Sequence, residues 1–448
     1  MERNLWFSQS NLLAVVRGLF GKVSDQRSRA SRIPLPDALM SVLAMFMLKI
    51  PSLLQLSNNL RDSTISSNLR SIFGIETAVS DDQLRNIIDP IGCQEFQPIF
   101  SSIHKRLRKM SSLLDFKIFG KHLLLAVDGT QIFQSKKLSS GTTQVKNHSN
   151  GETSYSVSLL SGCIVSPKRS IVFPVAPEPI QKSDGMTKND CETNAFYRFY
   201  TSLRKEHGKT TFCFLLDSLF SKTPTLSAIT ANHDFYIAAC KEGDHEFLFK
   251  STIPLLENIN SFMWRFYEDK AKGENIQIRF MNGVKLFKDI NSVVCSFIEM
   301  VVTRKNGSKT RFTWVTNILV NEHNALEICT CGRTRWRIEN ETFNTLKNHS
   351  YNLEHNYGLG KTNLRANLGI LMMLAFLLDQ LQEFGDDLFK KALKSKSTRG
   401  QFWSAIREIF TVGLASSYDV ILNLIAKSSK ENVINWDDIM SASGCNSS

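Results

Sequence analysis

Apolar positions change their spacing twice along this chain. Over residues 1–115 they recur at helical intervals. Pro34 and Pro36 precede the apolar run 38–48, as prolines precede a helix. Ser80-Asp81-Asp82-Gln83 reads as an N-cap with acids in the first turn. Near residue 121 the pattern becomes one of short continuous runs, the mark of strands buried on both faces. Leu123-Leu124-Leu125-Ala126-Val127 is the first, ending in Asp128-Gly129-Thr130. Runs 155–166 and 170–176 follow, with Pro167-Lys168-Arg169 as the turn between them. The polar stretch 135–153 reads as a mobile loop. Residues 190–207 return to helical spacing through Ala195, Phe196, Phe199 and Leu203, with Gly208 as the stop. Phe212-Cys213-Phe214-Leu215-Leu216 is a fourth strand, ending in Asp217. A helix over 224–231 and a fifth strand over 235–240 complete an α/β pattern with one sheet.

From 243 to 331 the chain reads as β-rich. Strands are expected over 276–280, 292–302 and 310–319, with Asn306-Gly307 as a hairpin turn. Helical spacing resumes at 333–347, read as one helix with Trp336, Phe343 and Leu346 inward and Ile338 flanking them. Beyond 361 helices are expected over 364–381, 401–410 and 420–425, and 441–448 as a frayed end. Four regions result: a helical N-terminal region over 1–115, expected to bind DNA, an α/β core over 120–242 and 332–360, expected to be catalytic, an inserted β-rich subdomain over 243–331, and a helical C-terminal region over 361–448. There is no internal repeat.

Composition adds one constraint. The 448 residues carry 42% hydrophobic and 21% charged side chains, ordinary for a globular protein, but a net charge of +12. That excess points to a polyanionic partner, nucleic acid being the usual one. Basic residues cluster at Lys22, Arg27, Arg29 and Arg32, at His104, Lys105, Arg106, Arg108 and Lys109, and at Lys390, Lys391, Lys394, Lys396 and Arg399. Such clusters supply phosphate contacts. The nine cysteines are odd in number and form no Cys-x-x-Cys pair, which argues against a disulfide framework or a structural zinc. Cys329 and Cys331 read as packing. Met1–Ser10 lacks a signal-peptide layout, and the runs 38–56 and 368–378 are interrupted or too short to span a bilayer. A cytoplasmic protein, with no membrane partner, is the expectation.

Candidate chemistry lies in three acids. Asp128 and Asp217 each follow a strand-like run and face each other if those strands are neighbours. Glu339 can join them from a helix packed on the sheet. Carboxylate oxygens are the ligands that hard divalent cations prefer, and phosphoryl transfer on nucleic acid commonly uses two such ions. Asp184, Asp190, Asp234 and Asp244 compete for the second position, but none directly ends an apolar run. Glu341 competes with Glu339. The two are about 200° apart on a helix, so only one can face the sheet; Glu339 shares its face with Arg335 and Phe343. The competing explanations are ordinary ones: Asp-Gly as a turn, and Arg335 with Glu339 as a surface ion pair. No Gly-x-Ser-x-Gly elbow supports a serine hydrolase.

Arg335-x3-Glu339 resembles part of the signature Tyr-x2-Arg-x3-Glu-x6-Lys of DDE transposases of bacterial insertion sequences, in their IS-four-like branch. Val127-Asp128-Gly129-Thr130, Pro177-Glu178-Pro179-Ile180, Lys241-Glu242-Gly243-Asp244 and Tyr351-Asn352-Leu353-Glu354-His355-Asn356 are similar to such transposases as well. The resemblance covers about 120–380. It departs at Gly332, where the signature has Tyr, and at Lys347, one residue later than the signature lysine. The resemblance implies a ribonuclease-H-like core, with Asp128, Asp217 and Glu339 as a catalytic, metal-binding triad for Mg2+, Mn2+ substituting. It implies DNA contacts from Arg333, Arg335, Arg337 and Lys347. The expected reaction is cleavage at the ends of a transposable element and joining of the freed 3′ hydroxyl to target DNA, with no covalent enzyme intermediate. A homodimer acting on paired terminal inverted repeats, associated with a bacterial nucleoid, is part of the same expectation. So is a base-stacking role for Trp336, against plain packing. The alternatives are a catalytically silent, transposase-derived DNA-binding protein, or a metal-dependent nuclease without strand transfer.

Overall fold

The computed structural model describes residues 5–28, 31–110, 113–182, 190–257, 265–269 and 273–427. Arg29, Asp184, Cys445 and the expected frayed end 441–448 lie outside them.

The N-terminal region is helical, as its spacing predicts: α1 (Gln9–Phe20), α2 (Leu35–Met47), α3 (Leu53–Asn59), α4 (Ser63–Phe73), α5 (Asp81–Ile88) and α6 (Gln97–Lys109). Ser80 and Gln83 form a full capping box at α5. Helix α2 is apolar all round and buried on nearly every residue, the pattern of a core helix. It packs on the equally buried α12 (Leu364–Gly385), against which α1 also lies. Between α6 and α12 come, in chain order, β1 (Lys117–Ile118), β2 (His122–Ser135), β3 (Gln144–Asn147), β4 (Thr153–Ser166), β5 (Arg169–Pro174), β6 (Glu178–Ile180), α7 (Glu192–His207), β7 (Phe212–Leu216), α8 (Thr223–Ala231), β8 (Phe235–Ala239), α9 (Glu246–Glu257), β9 (Arg265–Asp269), β10 (Glu274–Lys285), β11 (Val294–Arg304), β12 (Lys309–Thr316), α10 (Ala325–Arg333) and α11 (Asn344–Asn348). After α12 the chain ends in α13 (Asp387–Lys394), α14 (Arg399–Val412) and α15 (Tyr418–Lys427).

Among the described residues, all strands belong to one mixed sheet in the order β3-β4-β2-β7-β8-β12-β11-β10-β9, with β1 on β2 and with β5 and β6 on β4. Pairing is parallel at β2–β7 and β7–β8 and antiparallel elsewhere. The β-rich stretch therefore does not stand apart. It continues the core sheet edge to edge, through Trp314↔Ala239, Val315↔Ala238 and Thr316↔Ile237.

The structure departs from the expected pattern at three places. Strand β2 runs on to Ser135, so Asp128 sits inside it rather than at its end; the partner β4 keeps pairing to Ser135↔Tyr155, past a bulge between Gln131 and Phe133. The stretch 135–153 is not all loop, because 144–147 pair with β4. Residues 333–347 are not one regular helix. The helical path starts at Ala325, tightens to a 3₁₀ turn at Thr334–Trp336, and widens to a π segment at Ile338–Phe343 before α11. Angles of 100° per residue fail across such a path. Ile338 is consequently fully buried, as is Leu346, and Phe343 nearly so, while Trp336 is 44% exposed instead of facing the core.

By length and composition α12 could cross a membrane, but 94% of its apolar window is buried inside the protein. The eight described cysteines are free, and Cys329 and Cys331 are buried, as packing requires.

Candidate active site

Neighbouring parallel strands place the first two acids. Strands β2 and β7 pair from Leu123↔Phe212 to Ala126↔Leu215. Asp128 and Asp217 each lie two residues beyond that last pair. Both strands are buried on both faces where they pair, so the core fixes their register and sets the two aspartates at the same level.

Asp217 caps the turn that follows β7, its Oδ1 accepting from the Leu219 N–H at 3.0 Å and the Phe220 N–H at 3.4 Å. Asp128 Oδ1 accepts from the Gly129 N–H at 2.9 Å, and its Oδ2 is ion-paired to Arg335 Nη1 at 3.0 Å. The other arm of the same guanidinium reaches Glu339 Oε1 at 2.5 Å. Arg335 thus ties the third acid, on the π segment, to the first, on the central strand. Burial pushes the Asp128 carboxyl up to about 6; Arg335 opposes this, and the charges of Asp217 and Glu339 add to it.

A fourth carboxylate, Glu192, had no signal in the apolar pattern. It sits in the first turn of α7, where an acid looks like ordinary complement to the helix dipole. Its carboxylate lies over Gly129: a Cβ there would stand 2.4 Å from Glu192 Oε1. Burial, Asp128 and Asp217, in that order, raise its pKa. The Gly after Asp128 is therefore a contact requirement as much as a turn signal.

The rivals have other work. Asp190 pairs with Arg198 at 2.5 Å. Asp234 is buried, accepting from Tyr200, Arg204 and the Phe212 N–H. The exposed Asp244 has its pKa lowered, first by a hydrogen bond from Ser218. Glu341 pairs with Arg337 at 3.7 Å, away from Asp128.

The basic residues divide. Arg333, Arg337 and Trp336 line a cleft of about 810 Å³ beside the helical path, facing Tyr267, Glu268 and Asp269. Arg333 stands over the Phe312 ring and Arg337 over the Trp336 ring. Lys347 is paired with Glu354 at 2.7 Å. In the cluster on α6, His104 does not face outward: it is buried, its Nε2–H donating to the Pro174 carbonyl at 2.8 Å, while Arg108 bonds His207 at 3.0 Å. Arg27 is held by Asp25.

The donor set suits a hard cation, being carboxylate throughout. As they stand, no three His, Cys, Asp or Glu side chains among the described residues converge closely enough to hold a metal; the cation between Asp128 and Glu339 is Arg335.

No family model matches the chain. No curated protein matches it in sequence. Among solved structures it is similar to a piggyBac transposase in a synaptic complex with hairpin DNA, at 11% sequence identity and a TM-score of 0.41, over 98% of this chain and 84% of that one. A TM-score of that size is too low to carry fold or activity from one chain to the other.

Proposed function

We propose that this protein is a DNA transposase that cuts the ends of an insertion sequence and joins them to target DNA. The observation that carries the reading is the adjacency of Asp128 and Asp217 on parallel neighbours, with Glu339 drawn to Asp128 by Arg335. The unit β5-β4-β2-β7-β8 is, in this reading, a ribonuclease-H-like core.

Asp128, Asp217 and Glu339 would hold Mg2+, or Mn2+ in its place. Bound there, the ion supplies a Lewis acid at a phosphoryl oxygen and a hydroxide-like nucleophile near neutral pH. Arg333, Arg335, Arg337 and Lys347 act on the substrate as phosphate clamps, their guanidinium and ammonium groups neutralising and orienting the backbone at the cut. The exposed Trp336 ring, next to Arg337, offers an unpaired base a stacking surface. Terminal inverted repeats and target DNA are the partners, engaged by a homodimer.

One observation favours the second reading, a catalytically silent DNA-binding protein. Two of the three acids are already ion-paired to Arg335, and Asp217 serves a turn. Cleavage of DNA carrying the element's own ends, with magnesium or manganese, separates the two. Wild type that nicks, beside Glu339→Gln that binds without nicking, supports the transposase. Binding by both with nicking by neither supports the silent protein. Equal nicking by both removes Glu339 from the triad.

A further inference from the structure

Arg335 does more here than the role of phosphate clamp demands. Its two arms lie on acids from two different elements, Asp128 of β2 and Glu339 of the π segment. Its side chain is 24% exposed, and that of Asp128 19%. The partly buried Asp128 and the half-exposed Glu339 repel one another unless a cation sits between them. Arg335 is that cation. Both oxygens of Asp128 are then engaged, one by Gly129 N–H and one by the guanidinium. A divalent ion and Arg335 compete for the same oxygens.

We propose that Arg335 is a resident counter-ion which keeps divalent metal off Asp128 and Glu339 until a DNA phosphate draws it away. This rests on the metal-site reading above and adds its regulation. A phosphodiester is the natural competitor for a guanidinium, because it accepts the same two-pronged hydrogen bonding as a carboxylate. Arg335 and Glu339 are themselves open to solvent in part, Arg333 and Arg337 beside Arg335 in sequence line a neighbouring open cleft, and the net charge of +12 attracts the backbone. Once the guanidinium turns to phosphate, Asp128 and Glu339 are left facing each other without a cation. Metal and DNA then bind with positive coupling, each strengthening the other by the same factor. Without DNA the acids stay paired to Arg335 and the site idles.

The test is Mn2+ binding to the full chain, followed by electron paramagnetic resonance, with and without a short duplex oligonucleotide. Wild type is compared with Arg335→Gln, Arg335→Lys and Asp128→Asn. Without DNA, Arg335→Gln is expected to bind Mn2+ about tenfold more tightly than wild type, within the usual range of such couplings. Arg335→Lys, which keeps the charge, stays near wild type. The duplex tightens Mn2+ binding to wild type and leaves Arg335→Gln almost unchanged. If Arg335→Gln binds Mn2+ as wild type does or more weakly, while Asp128→Asn abolishes binding, the counter-ion role is wrong and the metal site stands. If no variant binds Mn2+ with or without DNA, the metal site itself falls, and the counter-ion role with it.

Discussion

Gly332 lies against the indole of Trp314: a Cβ at Gly332 would meet Trp314 Cε2 at 2.6 Å and Ile237 Cγ2 at 3.1 Å. This contact is where α10 closes on β8 and β12. It leaves no room at position 332 for any side chain larger than that of glycine. Trp314 is 4% exposed and backed by the sheet, so it has nowhere to go. Gly332→Ala is expected to cost about 1–3 kcal/mol by overpacking, read as a lower thermal midpoint. Gly332→Tyr should give no soluble protein; a well-folded Gly332→Tyr would show that the contact is not limiting.

Glu341→Gln provides the control for Glu339. Glu341 faces Arg337 in a partly exposed pair, and such pairs contribute at most about 1 kcal/mol. The variant should keep both its midpoint and its DNA cutting to within a factor of about two. A loss of cutting as deep as that of Glu339→Gln would reverse the assignment of the two glutamates.

Gly129→Ala should injure the site through Glu192. The added methyl meets the end of a flexible side chain rather than backbone, so the cost to folding is small, about 1 kcal/mol. Displacement of Glu192 alters the field on Asp128 and Asp217. Mn2+ affinity is the measurement: Gly129→Ala should lower it, and adding Glu192→Ala to that variant should relieve the collision without restoring the lost carboxylate.

Acid should loosen the joint between α6 and α7. His104 is buried and its pKa is lowered to about 4, first by burial, with Arg108 also opposing the charged form. Burial, then His104 and Arg108, lowers His207 in the same direction. In the unfolded chain both titrate near 6.5. The unfolded state therefore binds more protons below that pH, and stability falls as pH drops from about 6.5 toward 4. For His104 alone the loss is on the order of 3 kcal/mol at the lower end. Thermal midpoints across this window should decline in wild type and decline less in His104→Gln. Identical slopes would exclude His104 as the source.

Lys49→Met should be severe and repairable. Lys49 is buried at positive φ, its Nζ 2.5 Å from Asp379 Oδ2 and between the rings of Tyr351 and Trp403. Removing it leaves Asp379 uncompensated, at a cost of about 3–5 kcal/mol. Lys49→Met with Asp379→Asn should recover most of that. Additive losses in a denaturant series would show that the two do not act as a pair.

Much of the sheet is legible in the sequence because β7, β8 and the first half of β2 are buried on both faces and so appear as unbroken apolar runs. The match of Asp128 to Asp217 follows from those runs once the strands are neighbours. The path around Glu339 is not legible. Nothing in Thr334-Arg335-Trp336 announces a 3₁₀ turn, or in Ile338–Phe343 a π segment; tertiary fit decides both, and with them the exposure of Trp336. Glu192 is hidden for another reason, since an acid in a first helical turn has a sufficient local explanation. Strand β3 is polar and sits at the sheet edge, where pairing rather than burial makes a strand. His104 shows the opposite failure: charge clustering on α6 marks a basic face, while one member of the cluster turns into the core.

The tie between Lys49 and Asp379 spans 330 residues, and Asn68 similarly bonds the backbone of Phe410, Gly413 and Ala415. A ribosome adding about 5–20 residues per second needs roughly 15–65 s to make the chain between Lys49 and its partner. Throughout that interval α2, apolar on every side, has been synthesised without the helix that covers it. The first helices of this protein are the last to be finished. Its nascent chain is thus a long-lived client for whatever shields hydrophobic segments during synthesis, and cutting the gene anywhere before α12 leaves α2 without the helix that covers it.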